Sequence, residues 1–175
     1  MLDLLITHAT LPDGRQNMSI AVQNGRITEV TEGLQAPAHE TVDAGGLLVS
    51  PPFVDAHFHM DSTLSYGQPR VNESGTLLEG IALWGELKPS LTHDAIVQRA
   101  LRYCDMAVAR GLLSIRSPVD TRHASLLPVQ APLDVQQRVA PYLLLPLLAF
   151  PPDGVILAPP GLALLIRTTC LGVDV

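Results

Sequence analysis

The chain has 175 residues, 47% of them hydrophobic and 4% aromatic, with 17 acidic side chains against 11 basic ones for a formal net charge of -6. That length holds a sizeable core in one domain or two small ones, and the acidic balance without clustered Lys and Arg argues against a nucleic-acid-binding surface. The two cysteines, Cys104 and Cys170, lie far apart with no Cys-x-x-Cys spacing, so neither a disulfide framework nor a thiolate zinc site is expected and a reducing, cytoplasmic setting fits. The opening MLDLLITHATLPDG carries neither the basic start nor the apolar run of a secretory signal. The greasiest stretch, 139-VAPYLLLPLLAF-150, is shorter than the roughly 20 residues of a membrane span and reads as a buried strand.

In chain order, residues 1–50 read as short strands. LLITHATL, SIAVQNGRITEV and GLLVS are apolar or alternating, and Asp13-Gly14 and Asn24-Gly25 punctuate them. Asn24-Gly25, flanked by AVQ and RITEV, predicts a two-residue hairpin because both residues accept positive φ. A small antiparallel β unit is expected.

From Pro51 the pattern changes. FVDAH is a candidate strand, and a long polar, glycine-containing loop follows. Then LTHDAIVQRALRYCDMAVARG predicts a helix, with Thr92 as N-cap, Ile96, Ala100, Cys104 and Ala107 at helical spacing, and Gly111 at the C-terminal stop. A second strand over 112-LLSIRSPVD-120 and a third over 142-YLLLPLLAF-150 follow, and strands alternating with helices imply a parallel sheet. Nine of the fifteen prolines lie at or after Pro118, and they fall inside predicted elements. Pro128 and Pro132 are expected to interrupt the helix between the second and third strands, and Pro146 to sit in the middle of the third, so the second half reads as less foldable than the first.

The candidate chemistry is 50-SPPFVDAHFHMDST-63. In a strand, residues i and i+2 share a face, so His57 and His59 project together. At the C-terminal end of a parallel strand they sit where α/β barrels place their chemistry, and paired imidazoles suit Zn(II) or Fe(II). His-x-His alone is equally read as a half-exposed strand with two solvated imidazoles. Asp61 either reaches the pocket rim and orients a ligand histidine from behind, or caps local backbone. Asp120 either faces the pocket or serves a turn. Tyr66 and Trp84 either stack on a planar ring or pack against the barrel. His8, His39, His93 and His123 read as surface or loop residues.

The segment PPFVDAHFHMDST resembles the first-strand metal motif of the amidohydrolase superfamily, and YGQPRVNESGTLLEGIALWGELKPSLTHDAI resembles its bacterial cytosine deaminase branch. The likeness takes in VDAGGLLVSPPF, IRSPVDT, VAPY, AFPPDGVI and LGVDV, most of the chain. It implies an incomplete (β/α)8 TIM-type barrel of about three βα units over residues 51–175, preceded over residues 1–50 by part of a small β-sandwich. It implies His57 and His59 as ligands of one divalent metal ion, Fe2+ or Zn2+. The implied reaction is hydrolytic deamination of cytosine or a related amino-substituted N-heterocycle in pyrimidine metabolism. The implied partners are a small heterocycle, no nucleic acid and no membrane, with the full-length relatives homo-oligomeric.

Three departures qualify the resemblance. Pro118 in 116-RSPVD-120 stands where the family carries a histidine, and Pro152 in 150-FPPDG-154 stands where it carries a glutamine that reads the pyrimidine edge. Both replace hydrogen-bonding side chains in the expected substrate pocket with rings that have none. The family's further metal ligands and proton-shuttling glutamate belong to later strands, so no catalytic residue is identifiable among these 175 and the metal is incompletely liganded. The expectation is the N-terminal portion of a deaminase, or else an inactive truncated or decayed relative, or a fragment needing a complementing chain.

Overall fold

A computed structural model describes residues 1–151 and 161–174. The chain divides into two units, Met1–Pro51 and Pro52–Val175.

The first unit is a four-stranded sheet built from β1 (Leu2–Ala9), β2 (Met18–Gln23), β3 (Arg26–Glu32) and β4 (Ala38–Asp43), in the order β3-β2-β1-β4. Asn24 and Gly25 make the predicted turn with φ of 53° and 68°, and Gln23 pairs directly with Arg26. Ala9, Leu11, Met18, Ile20 and Ala44 form the core. Two expectations are corrected. β4 runs parallel to β1, so the sheet is mixed, and GLLVS contributes only a bridge from Leu48 to Thr10. The last strand is instead AHETVD, which is exposed along almost its whole length. An edge strand with polar residues on both faces has no alternation to betray it.

The second unit alternates strand and helix: β5 (Phe53–Asp55), α1 (Leu77–Leu87), a 3₁₀ turn (Lys88–Ser90), α2 (His93–Val108), β6 (Leu112–Ile115), β7 (Ser117–Asp120), α3 (Leu127–Val139), β8 (Leu147–Phe150) and α4 (Gly161–Cys170). The run 112–120, expected as one strand, is divided between two partners. β6 pairs in parallel with β5, and β7 in parallel with β8. The division falls at Arg116, whose N–H donates to the Asp55 carbonyl at 2.8 Å while the Ser117 N–H donates the other way, to the Pro146 carbonyl at 2.9 Å. Asp174 bridges in parallel to Leu148 and begins a further rung. These parallel βα units are the first part of a (β/α)8-type barrel.

α2 forms as its sequence dictates. The Thr92 hydroxyl accepts the Ala95 N–H at 3.2 Å, worth about 1 kcal/mol. Ile96, Val97, Ala100, Cys104 and Ala107 are its buried face. They pack with Val129, Val135 and Val139 of α3 in one core.

The proline expectations are corrected here. α3 is continuous over 13 residues. Pro128 lies in its first turn, where a backbone N–H has no intrahelical acceptor. Pro132 does remove an interior bond, but Val129, Ala131, Val135 and Val139 on the same helix are fully buried. Burying a valine is worth about 1.5 kcal/mol or more, so this face offsets the roughly 3 kcal/mol an interior proline costs. Pro146 precedes β8 rather than interrupting it. α1 fills most of what reads as loop. Thr76 caps it, its hydroxyl accepting the Glu79 N–H at 3.3 Å.

Candidate active site

β5 ends at Asp55, so His57 and His59 lie just past the strand and not within it. The two-residue strand period is therefore not what brings them together. His57 N–H donates to Asp55 Oδ1 at 3.1 Å, and Phe58 N–H donates to the Arg116 carbonyl at 3.1 Å. The Phe58 ring stacks on Tyr103 of α2, with centroids 3.9 Å apart and planes within 6°. Met60 N–H donates to the buried Ser117 hydroxyl at 3.0 Å. With Phe58 fixed against the helix, its two neighbours turn to the opposite side. Their imidazole centroids lie 5.2 Å apart, and both line a cleft of about 840 Å³.

Two buried carboxylates, Asp61 and Asp120, line the same cleft. Asp61 Oδ2 accepts the Asp120 backbone N–H at 2.8 Å. Its Oδ1 is buried without a hydrogen-bond partner, 3.7 Å from His59 Nδ1. Asp120 is fully engaged: Oδ2 receives Lys88 Nζ at 2.5 Å and the Trp84 indole N–H at 2.9 Å, and Oδ1 the Arg122 N–H at 2.8 Å. Asp120 thus fills both roles left open by the sequence, facing the cleft and closing a turn. Arg99 of α2 ties down the loop that carries Asp61, donating from Nε to the Thr63 carbonyl at 3.0 Å and from Nη2 to the Asp61 carbonyl at 3.4 Å. Contact with the Asp61 carboxylate raises the His59 pKa, helped by the charge of Asp120 and the Pro118 carbonyl and opposed by desolvation.

Pro118 is buried within β7 and is not among the residues lining the cleft. Pro152 lies outside the described residues. Trp84 packs on the core and also lines the cleft, whereas Tyr66 lines the cleft and is 84% exposed. Phe150 closes one side, 5.5 Å and edge-on from the His59 ring. The remaining histidines are engaged elsewhere: His8 with Asp43, His93 at the start of α2 beside Asp94, and His123 with Ser125. His39 is exposed on β4.

The donor set suits a borderline divalent ion at two positions. It offers two imidazoles opening into a cleft and, behind one of them, a buried carboxylate oxygen with nothing yet bound to it. Among the described residues no group of three or more His, Cys, Asp or Glu side chains is placed to hold a metal. Also among them, no helix is long and apolar enough to cross a membrane, and Cys104 and Cys170 are free thiols.

The sequence profile of the amidohydrolase family matches residues 40–128, about half of the chain and all of the His57–Asp120 region. The chain belongs to the amidohydrolase family. Among the solved structures of this family, 5-methylcytosine deaminase from Klebsiella pneumoniae, liganded with 5-fluorocytosine, shares 37% sequence identity with a TM-score of 0.90, over 97% of this chain and 42% of that one. N-isopropylammelide isopropylaminohydrolase from Burkholderia multivorans shares 25% with a TM-score of 0.79, over 100% and 44%. N-isopropylammelide isopropyl amidohydrolase of Pseudomonas sp. strain ADP is 27% identical over 177 residues, 98% of this chain and 44% of the relative. This amidohydrolase chain thus spans less than half the length of these relatives. Members of the superfamily are generally metal-dependent hydrolases.

Sequence reasoning missed four residues of the site. Phe58 and Tyr103 each look like ordinary apolar positions, and nothing local pairs them across 45 positions. Arg99 sits on α2 just beside its apolar stripe, a placement that marks a residue able to reach a neighbouring loop. Lys88 had the clearest signal: it is the only lysine in a chain that otherwise uses arginine.

Proposed function

We propose that this amidohydrolase-family chain supplies the metal-binding and ring-holding part of a hydrolytic deaminase acting on cytosine or a related amino-substituted N-heterocycle. The observation that carries the reading is the His57–His59 pair opening onto the cleft above Asp61 and Asp120. A divalent ion, iron or zinc, supplies Lewis acidity and an activated water when bound. His57 and His59 would hold it, and Asp61 Oδ1, 3.7 Å from His59 Nδ1, would orient that imidazole through its carboxylate charge with Nε2 left for the metal. Trp84 and Phe150 flank the space for a planar ring, and the closed carboxylate network beneath it fixes that space against rearrangement. In the net reaction a water oxygen replaces the amino group on a ring carbon and ammonia leaves. Free thiols accord with a cytoplasmic setting, and the relatives' likeness with a small-molecule substrate; a homo-oligomeric whole belongs to the same proposal.

The test is equilibrium dialysis of the purified chain with Zn(II) or Co(II), followed by an ammonia-release assay on cytosine. The reading expects metal retention that His57→Ala/His59→Ala abolishes. Equal retention by the double variant would sink it.

Pro118 and the two-ligand set favour a second reading for activity, in which the chain by itself binds metal weakly and turns nothing over. On this reading residues outside these 175, on a longer chain or a complementing one, supply the remaining ligands and the proton-transferring groups. Deamination by the chain alone above the metal blank rejects it.

A further inference from the structure

Ser117 is fully buried in β7, and the proposed reaction assigns it nothing. Because β5 ends at Asp55, the histidine segment beyond it is outside any strand and is held by isolated hydrogen bonds to residues 116–120. The Phe58 N–H donates to the Arg116 carbonyl at 3.1 Å. The Met60 N–H donates to Ser117 Oγ at 3.0 Å, and the Asp120 N–H donates back to Asp61 Oδ2 at 2.8 Å. His59 therefore lies between two anchored N–H groups, one tied to Arg116 and the next to Ser117. In the second of these a side-chain hydroxyl stands where a sheet ladder would use a carbonyl. Met60 is itself fully buried, so water does not replace the hydroxyl as acceptor, and an N–H left bare there is costly enough to displace the segment. Ser117 reaches the imidazole by a second path as well. Its hydroxyl donates to the Pro118 carbonyl at 3.4 Å, and that carbonyl also acts on the His59 ring.

We infer that Ser117 is a positioning residue of the metal site, its hydroxyl fixing His59 so that both imidazoles are turned toward one divalent ion before it binds. The inference rests on the proposed metal-holding role of His57 and His59 and deepens it. Two imidazoles hold one ion well only if both rings are already oriented, and losing an outer partner of this kind costs about 10–100-fold in metal affinity. The His57 side is fixed by its own N–H on Asp55. The His59 side is fixed through Met60 and Ser117. Charge does not enter this role. Asp61, Asp120 and Lys88 each bear on a bound dication through their charge as well as their bonds. Ser117 is neutral and is not among the residues lining the cleft, so removing its hydroxyl leaves the charge balance around the ion as it was. What is lost is the orientation of a ligand.

The purified chain is titrated with Co(II), whose visible absorption reports imidazole coordination, after circular dichroism has shown each variant to be folded. Ser117→Ala should raise the Co(II) Kd by about tenfold or more and alter the visible band, whereas Ser117→Thr, which keeps the hydroxyl, should stay within about threefold of the unaltered chain. Ser117→Val has the shape of Ser117→Thr without the hydroxyl and should bind about tenfold more weakly than it. The Thr and Val pair decides at constant volume if Ser117→Ala does not fold. The unaltered chain supplies a measurement that needs no variant. If the Met60–Ser117 bond and the ion favour one another, reciprocity requires that saturating Zn(II) slow hydrogen exchange at the Met60 amide, by about tenfold. A Ser117 that only stabilises the fold would lower the urea midpoint of the metal-free Ala and Val chains and leave the Co(II) Kd of the folded molecules unchanged. That result, equal Kd for the Thr and Val chains, or Met60 exchange indifferent to Zn(II), overturns this inference alone. Failure of the unaltered chain to bind Co(II) overturns the metal-binding reading together with it.

Discussion

Asp120→Ala is the substitution with the most to lose. Asp120 is 3% exposed and accepts from the Lys88 ammonium, the Trp84 indole and the Arg122 backbone. A hydrogen bond to a charged group contributes about 1.5–3 kcal/mol and a neutral one about 0.5–1.5. Removing one partner of a buried pair costs about 3–5 kcal/mol because the other charge is stranded. Water reaching Lys88 lowers that figure, so the expected loss is about 3 kcal/mol. With a urea m-value of about 2 kcal/mol/M, the unfolding midpoint falls by about 1.5 M. Far-UV circular dichroism and Trp84 fluorescence should report the same shift. The stranded charge also predicts coupling: the loss in Asp120→Ala/Lys88→Met should be smaller than the sum of the single losses by at least about 1 kcal/mol. A loss under about 0.5 kcal/mol for Asp120→Ala, or additive single losses, would refute the view that this network is a buried, mutually dependent set.

Three further outcomes follow from the packing and the ionisation. Burial pushes the Cys104 thiol up to about 11 while Cys170 is exposed, so a disulfide reagent at pH 8 should modify one thiol in the folded chain and two in denaturant. Ile96→Ala on the buried face of α2 should cost about 2–5 kcal/mol in urea unfolding, whereas Arg102→Ala on the outer face of that helix should stay within about 0.5 kcal/mol. The Ser74 hydroxyl and backbone, with Arg70, hold the Glu79 carboxyl down to about 2. A depressed carboxylate stabilises the fold fully above its unfolded value of 4.5 and loses that contribution as pH falls toward 2. Glu79→Gln should therefore flatten the acid limb of a stability-versus-pH curve between those values and leave its slope near pH 7 unchanged.

What could be read from the sequence depended on whether a residue's role was local. The Asn24-Gly25 turn, the Thr92 cap and the α2 stripe each follow from a few adjacent residues, and all three form. Expectations failed where partners were distant. AHETVD is a strand only because β1 lies beside it, and its own residues alternate nothing. Pro128 and Pro132 seem prohibitive until one sits in a first turn and the other on a helix whose valines are completely buried. His57 and His59 were legible as a pair, but for an incomplete reason. They meet because Phe58 stacks on Tyr103 and Asp55 holds the His57 N–H, contacts that no spacing rule contains.

Pro118 shows why the fold and the chemistry must be judged separately. Backbone N–H groups alternate sides along 112–120, and Arg116, two residues earlier and so on the same side, donates to Asp55, the last residue of β5. Position 118 therefore faces the side where β5 has already ended, and proline removes a donor that the described sheet does not use. At this point the sheet is indifferent to the loss of an imidazole. The carboxylate network two residues on, at Asp120, is equally intact. The backbone architecture can therefore be kept while a hydrogen-bonding side chain is lost at position 118. Structural likeness at a TM-score of 0.90 consequently argues for the architecture alone, and activity has to be established at His57 and His59 by metal retention and ammonia release.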